Sequence, residues 1–185
     1  MTLNCPFFIV KILNYRKIIM DNFTELNYKF NLDALTKDVY TVIETTGWGD
    51  KNQICLTHPE NQESWFIGSG GLITTKNFTV MNNFLIGSYY EQVHNTIKKD
   101  FPFTRVRLMN LVAGQCMSLH TDTQPRIHIP IVTNEQCLMI IDNEVKHMPA
   151  KGSAWLTNTL KTHTALNANL TSAGFLGSYP SSRAI

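Results

Sequence analysis

The chain has 185 residues, 43% of them hydrophobic and 16% charged, which is enough for one substantial core and too little for two. Sixteen basic and fourteen acidic residues leave a formal charge of +2, spread without runs, which argues against a nucleic-acid tail or a membrane-surface helix. Cys5, Cys55, Cys116 and Cys137 are far apart and form no CxxC pair, so neither a zinc ribbon nor a disulfide framework is expected, and a reducing cytoplasm is.

In chain order, residues 1–19 begin with the apolar run Pro6-Phe7-Phe8-Ile9-Val10, followed by Lys11, Ile12-Leu13, Arg16 and Lys17. The apolar part precedes most of the charge, is too short to span a bilayer and has no small-residue cleavage site after it, so it makes a poor signal peptide. The expectation is a flexible or non-native N-terminal arm, with Met20 as an alternative start, ahead of a single domain over 20–185. From Asn31 onward, Leu32, Leu35, Val39 and Ile43 recur at helical spacing behind an Asn cap, and Thr45-Thr46-Gly47 ends the run. A short β-like piece, Ser64-Trp65-Phe66-Ile67, precedes a Gly68-Ser69-Gly70-Gly71 turn. A second helix is predicted from about Asn83 to Lys99, with Leu85, Tyr89, Val93 and Ile97 four apart and Phe101-Pro102 closing it.

After residue 104 the pattern changes. Arg105 to Val112, Arg126 to Val132, Cys137 to Ile141, Ala154 to Leu156 and Phe175 to Tyr179 read as short strands separated by turns, the signature of a barrel or sandwich. The fold expected is mainly β with α (α+β). Residues 20–104 supply helices and early strands as a buttress, and 105–180 form the barrel core.

His120-Thr121-Asp122 places an imidazole and a carboxylate two residues apart, on one face of extended backbone. Alone the pair is a weak signal, equally readable as a turn with an Asx bond. His163, about forty residues on, is the candidate third ligand, with His147 as its rival. Two histidines and one carboxylate on one face of an ion make the facial triad of iron(II) oxygenases, with positions left open for a co-substrate and oxygen. His58 and His94 read as bystanders, in a loop and on a helix surface. Cys116 reads as packing near the metal mouth, and Trp65 and Trp155 as core or pocket wall.

Several pieces in order resemble the aspartyl/asparaginyl β-hydroxylase-like oxygenases, which include free-proline cis-hydroxylases. Arg105-Val106-Arg107-Leu108 with Ala113-Gly114 is similar to the strand and turn ahead of the metal motif, and His120-Thr121-Asp122 to the motif itself. Arg126-Ile127-His128-Ile129-Pro130-Ile131 resembles the family's RxHxP strand. Glu144, His147-Met148, Gly152 and Trp155 resemble its next hairpin, and His163 with Asn167 its distal histidine and the asparagine four residues later. The resemblance implies a double-stranded β-helix (jelly-roll, cupin-like) and a dioxygenase that uses Fe(II), 2-oxoglutarate and O2, with ascorbate as assay reductant. It would hydroxylate a C–H bond of an amino acid, a residue or a small acid, releasing succinate and CO2. The implied metal ligands are His120, Asp122 and His163.

One departure stands out. The family carries an arginine about ten residues after the distal histidine to hold the far carboxylate of 2-oxoglutarate. Here that stretch reads Ser172-Ala173-Gly174-Phe175, and the next basic residue is Arg183. Arg126 is the expected substitute, with His128 on the same strand face as a second co-substrate contact. Lys161 is a weaker substitute, and Arg107 and Trp155 are candidate substrate contacts. The gap also opens another reading, a metal-binding barrel serving as a binding module without 2-oxoglutarate turnover. A small-molecule or amino-acid-like substrate is the expected partner; no membrane is, and the lack of a basic stripe argues against nucleic acid.

Overall fold

The computed structural model describes residues 4–12, 20–67 and 78–169. Eleven strands and two helices are found among them: β1 (Cys5–Ile12), β2 (Phe23–Leu26), α1 (Leu32–Thr46), β3 (Gln53–Cys55), β4 (Thr57–His58), β5 (Val80–Met81), α2 (Tyr89–Asp100), β6 (Phe103–Leu111), β7 (Arg126–Pro130), β8 (Cys137–Ile141), β9 (Glu144–His147), β10 (Ala154–Thr157) and β11 (His163–Asn167). Every strand pairing is antiparallel. A six-stranded sheet runs β2-β10-β7-β1-β6-β3, a three-stranded sheet runs β11-β8-β9, and β4 pairs with β5. The expected mixture of β with buttressing helices is present. The expected barrel is not closed among the described residues, because the two larger sheets keep separate hydrogen-bond ladders.

Helix α1 forms where its spacing predicts. Asn31 caps it by accepting from the Ala34 N–H, and Gly47, at φ +65°, returns its own N–H to the Ile43 carbonyl. The second predicted helix is shorter than expected. Asn83–Leu85 make one 3-10 turn, Gly87 at φ +84° breaks the run, and α2 restarts behind Ser88, whose hydroxyl accepts from the Glu91 N–H. Asp38 of α1 accepts from the Tyr90 N–H at 2.8 Å, tying the two helices together. Leu35, Val39, Tyr90, Val93 and Ile97 then pack on one face of the large sheet against Phe8, Val10, Leu108, Ile127 and Ile129.

Three expectations change here. Residues 5–12, taken as part of a loose arm, form β1 between β6 and β7 in the middle of the large sheet. Their apolar run shows no inside–outside alternation because Phe8 and Val10 pack into the core while Phe7 and Ile9 line the space between the two larger sheets. The large sheet therefore draws β1, β2 and β3 from before residue 104, so buttress and core are not separate stretches of chain. Ser64 to Ile67 form no strand and instead close on β3, with the Trp65 carbonyl accepting from the Cys55 N–H. The Gly68–Gly71 turn and the strand expected at Phe175–Tyr179 lie outside the described residues. Finally, Cys5 and Cys137 are joined as a disulfide between β1 and β8, a pairing that spacing alone does not reveal, while Cys55 is buried and Cys116 exposed, both outside that disulfide.

Gly152, in the turn before β10, stands at φ +80°, and a side-chain carbon there would fall on the Phe30 carbonyl oxygen. The Phe30 N–H donates to the Gly152 carbonyl at 2.8 Å, docking the approach to α1 against the sheet. Gly152→Ala should destabilise the protein by about 3 kcal/mol, the sum of left-handed strain and the displaced contact. Urea denaturation would measure it, and a change below about 1 kcal/mol would contradict this packing.

Candidate metal centre

The segment after β6 does not stop pairing when the strand ends. The Met117 N–H donates to the Ala165 carbonyl, and His120 and His163 exchange both backbone hydrogen bonds, at 3.1 and 2.9 Å. An antiparallel pair bonded in this way sends its two side chains to the same side, and the imidazole centroids stand 4.3 Å apart. Asp122 joins them because its N–H is held by the Thr159 carbonyl at 2.8 Å. One ligand atom from each of His120, Asp122 and His163 lies within 4.8 Å of the others.

The donor set fits a divalent metal. His120 Nδ1 is 2.7 Å from the Ser118 carbonyl and His163 Nδ1 is 2.9 Å from the Lys161 carbonyl. Both Nδ1 atoms must carry hydrogen to make these bonds, which leaves each Nε2 lone pair for an ion. His163 is buried, and that burial lowers its proton affinity despite the Lys161 carbonyl, favouring the neutral ligand form. Burial opposes ionisation of Asp122, but the hydrogen bonds and charge of Arg126 outweigh it and hold the carboxyl below its ordinary range. Arg126 grips both carboxylate oxygens, Nε to Oδ2 at 2.8 Å and Nη2 to Oδ1 at 2.7 Å.

The triad opens onto a cavity of about 590 Å³ between the two larger sheets. Strand alternation sends Phe7, Ile9 and Lys11 of β1, Arg105 and Arg107 of β6, and Arg126 and His128 of β7 into it. Phe7 lies flat on His128, with centroids 5.7 Å apart and planes 9° apart. Burial, reinforced by Arg126, pushes His128 down to about 3. An unfolded histidine takes up its proton near pH 6.5, so between about pH 6.5 and about pH 3 only the unfolded chain is protonated here, and stability falls as pH falls. The loss should approach roughly 4 kcal/mol across that window. His128→Asn should flatten the pH profile of metal-free unfolding, and an unchanged slope would mean that His128 charges in the folded state.

The other candidates divide between the cavity and the rest of the fold. Arg107 lines the cavity and donates from Nη1 to Gln53 at 2.7 Å. Trp155 is buried on β10 beneath the Lys146 ammonium, 5.3 Å from its ring, and is not among the cavity-lining residues. Lys161 pairs with Asp142 at 3.1 Å and serves the centre through its carbonyl. His147 sits on β9 near Thr133, apart from the triad. His58 and His94 are buried, not exposed; His94 packs on Tyr90, and burial lowers its proton affinity. Cys116 is exposed, with its sulfur 3.5 Å from the Thr164 hydroxyl. Among the cavity residues that sequence reasoning missed is the charged Lys11; the i, i+2, i+4 spacing of Phe7, Ile9 and Lys11 was its signal.

Antiparallel sheets backed by two helices, with a His-Asp-His cluster at the mouth of a cavity between the sheets, make a β-rich protein with a candidate metal site. Residues 73–172, more than half of the chain, match the model of the aspartyl/asparaginyl beta-hydroxylase family, and the protein belongs to that family. The family name points to hydroxylase-type oxygenase chemistry. Among curated proteins, none matches the chain.

Proposed function

We propose that the protein is an iron(II)- and 2-oxoglutarate-dependent dioxygenase on a double-stranded β-helix scaffold, hydroxylating an unactivated C–H bond of an amino acid, an amino-acid residue or a small acid. The observation that carries this reading is the triad itself, with ligand atoms within 4.8 Å of one another and both histidines turned Nε2-outward by backbone carbonyls. Two imidazoles and one carboxylate on one face of an iron ion would leave room for a 2-oxo acid and oxygen. Iron held there would supply oxidative decarboxylation of 2-oxoglutarate to succinate and CO2, coupled to hydroxylation of the substrate. The chain's own residues do the positioning. Arg126 keeps Asp122 ionised and fixes its plane, the Ser118 and Lys161 carbonyls fix the imidazole tautomers, and neutral His128 lines the cavity where it would meet the co-substrate without adding charge. Phe7, Ile9, Met109 and Met139 line the cavity with apolar surface that displaces water.

The test is succinate formation from 2-oxoglutarate with ferrous iron and ascorbate. Equal background turnover by wild type and His120→Ala across a broad panel of amino acids and small acids would remove the reading's support. The pairing of Arg126 with Asp122 favours a second reading, because those guanidinium donors are then engaged away from a co-substrate carboxylate. On that reading the protein is a metal-binding module without turnover. Anaerobic 2-oxoglutarate added to the iron protein discriminates: a weak visible charge-transfer band supports the dioxygenase, and its absence despite bound iron supports the module.

A further inference from the structure

One short turn orients both Asp122 and His163. His120 and His163 face each other across an antiparallel pair, in which each step along one segment is a step back along the other, so an unbroken ladder would set Asp122 opposite Lys161. The chain does otherwise. The Asp122 N–H donates at 2.8 Å to the Thr159 carbonyl, two residues earlier than the ladder requires, and the Lys161 carbonyl is left to accept from His163 Nδ1 at 2.9 Å. The slip is made by the turn that Lys161 closes with its N–H on the Asn158 carbonyl at 3.2 Å, and Asn22 pins that turn by accepting from the Asn158 N–H at 3.0 Å.

Thr159 also reaches the loop with its side chain. Its hydroxyl donates to the Gln124 carbonyl at 2.8 Å, and the residue is 1% exposed, in the wall of the cavity that the triad opens onto. One residue thus holds the Asp122-to-Gln124 bend at both ends, by main chain at the first residue and by side chain at the last. A β-branched side chain has few rotamers, which keeps the hydroxyl aimed. Arg126 sets the plane of the Asp122 carboxylate, but so long a side chain can follow the carboxylate and does not set its place. Asp122 Oδ2 stands 3.7 Å from His163 Nε2, and Thr159 is the residue that joins the two segments there.

We propose that Thr159 is a positioning residue of the candidate metal centre: its hydroxyl and carbonyl together hold the Asp122 carboxylate within reach of the ion that the two histidines would share. Without the hydroxyl the bend relaxes, and the carboxylate withdraws while both imidazoles stay, since neither Nδ1 bond involves the Thr159 side chain. The proposal takes the triad as the ligand set and in that respect rests on the dioxygenase reading; it does not require turnover. Valine keeps the branched shape of threonine and removes the hydroxyl, whereas serine keeps the hydroxyl.

The experiment titrates the full chain with cobalt(II), using chelator competition for affinity and visible absorption for the coordination environment. Thr159→Val should weaken cobalt binding about tenfold or more, the size of losing an orienting partner of a ligand, and Thr159→Ser should stay within about threefold of wild type. The cobalt spectrum should move in Thr159→Val and not in Thr159→Ser. In an Asp122→Ala background, titrated into the millimolar range, Thr159→Val should cost no more than about a further twofold, because the group it positions is gone. A merely structural threonine would cost the same with and without Asp122. Thr159→Ala repeats the comparison if the valine variant fails to fold, and the valine–serine comparison decides if Asp122→Ala binds too weakly to titrate. Equal affinity and spectrum in wild type and Thr159→Val, equal losses with and without Asp122, or a serine variant as weak as the valine variant would each overturn the proposal while leaving the triad standing. Hydroxyl-dependent cobalt binding in a protein that forms no succinate with iron would overturn the dioxygenase reading alone. A wild-type chain that binds no cobalt would overturn both.

Discussion

Replacing His120 by alanine should abolish metal binding and turnover together while leaving the fold in place. The imidazole is half-exposed, and its Nδ1 bond to the Ser118 carbonyl lies at the surface. The backbone pairing with His163, which builds the centre, does not involve the side chain. Losing an orienting partner of a metal ligand typically costs about 10- to 100-fold in affinity, so losing the ligand itself should cost at least about 100-fold. The metal-free variant should unfold within about 0.5 kcal/mol of wild type, as surface substitutions do. His163→Ala should show the same metal loss with a larger destabilisation, because His163 is only 5% exposed and its removal empties a buried site in β11. Competition for zinc against a chelator, alongside urea denaturation, measures both. Retention of metal by either variant would remove that residue from the ligand set.

Arg126→Met tests the second tier of the site. The arginine and Asp122 are 12% and 20% exposed at their side chains, so their pair lies between the surface and fully buried limits. Breaking a fully buried pair costs about 3–5 kcal/mol, and solvent access should reduce this to about 2 kcal/mol here. Metal affinity should fall about 10- to 100-fold, because the Asp122 carboxylate loses the fork that sets its plane. Arg126→Lys, which keeps the charge without the bidentate geometry, should recover stability more than affinity. If Arg126→Met instead binds metal more tightly, the arginine competes with the ion for Asp122 and does not position it.

Both of these experiments concern residues that could be singled out before the fold was known, since a His-x-Asp pair, a distal histidine and an RxHxP strand are local patterns. What those patterns did not contain is how Arg126 would be used. On one strand face beside His128 it reads as a co-substrate anchor, whereas in the structure its guanidinium is paired with Asp122. Its bond to Asp122 depends on where the loop between β6 and β7 turns back, which Thr159 on a distant segment decides. Trp155 shows the limit from the other side: opposite His128 on β10 it leaves from the same face of the sheet, but its indole lies beneath Lys146 and does not line the cavity.

The sequence by itself determined α1 and its caps, the strands β7, β8 and β10 to within a residue or two, and the three residues that cluster at the metal centre. Each depends on short-range causes: 3.6-residue or two-residue periodicity, a side chain that satisfies an end-of-helix N–H, a glycine that ends a helix. Only the tertiary structure decided that residues 5–12 are an interior strand, that Cys5 meets Cys137, and that Lys11 enters the same cavity as Arg107. Those outcomes depend on pairings across more than a hundred residues, where an apolar run covered on both faces carries no periodicity to declare its partner. The candidate ligands were therefore legible as a motif, while the charge that surrounds them became legible only when β1 took its place in the sheet.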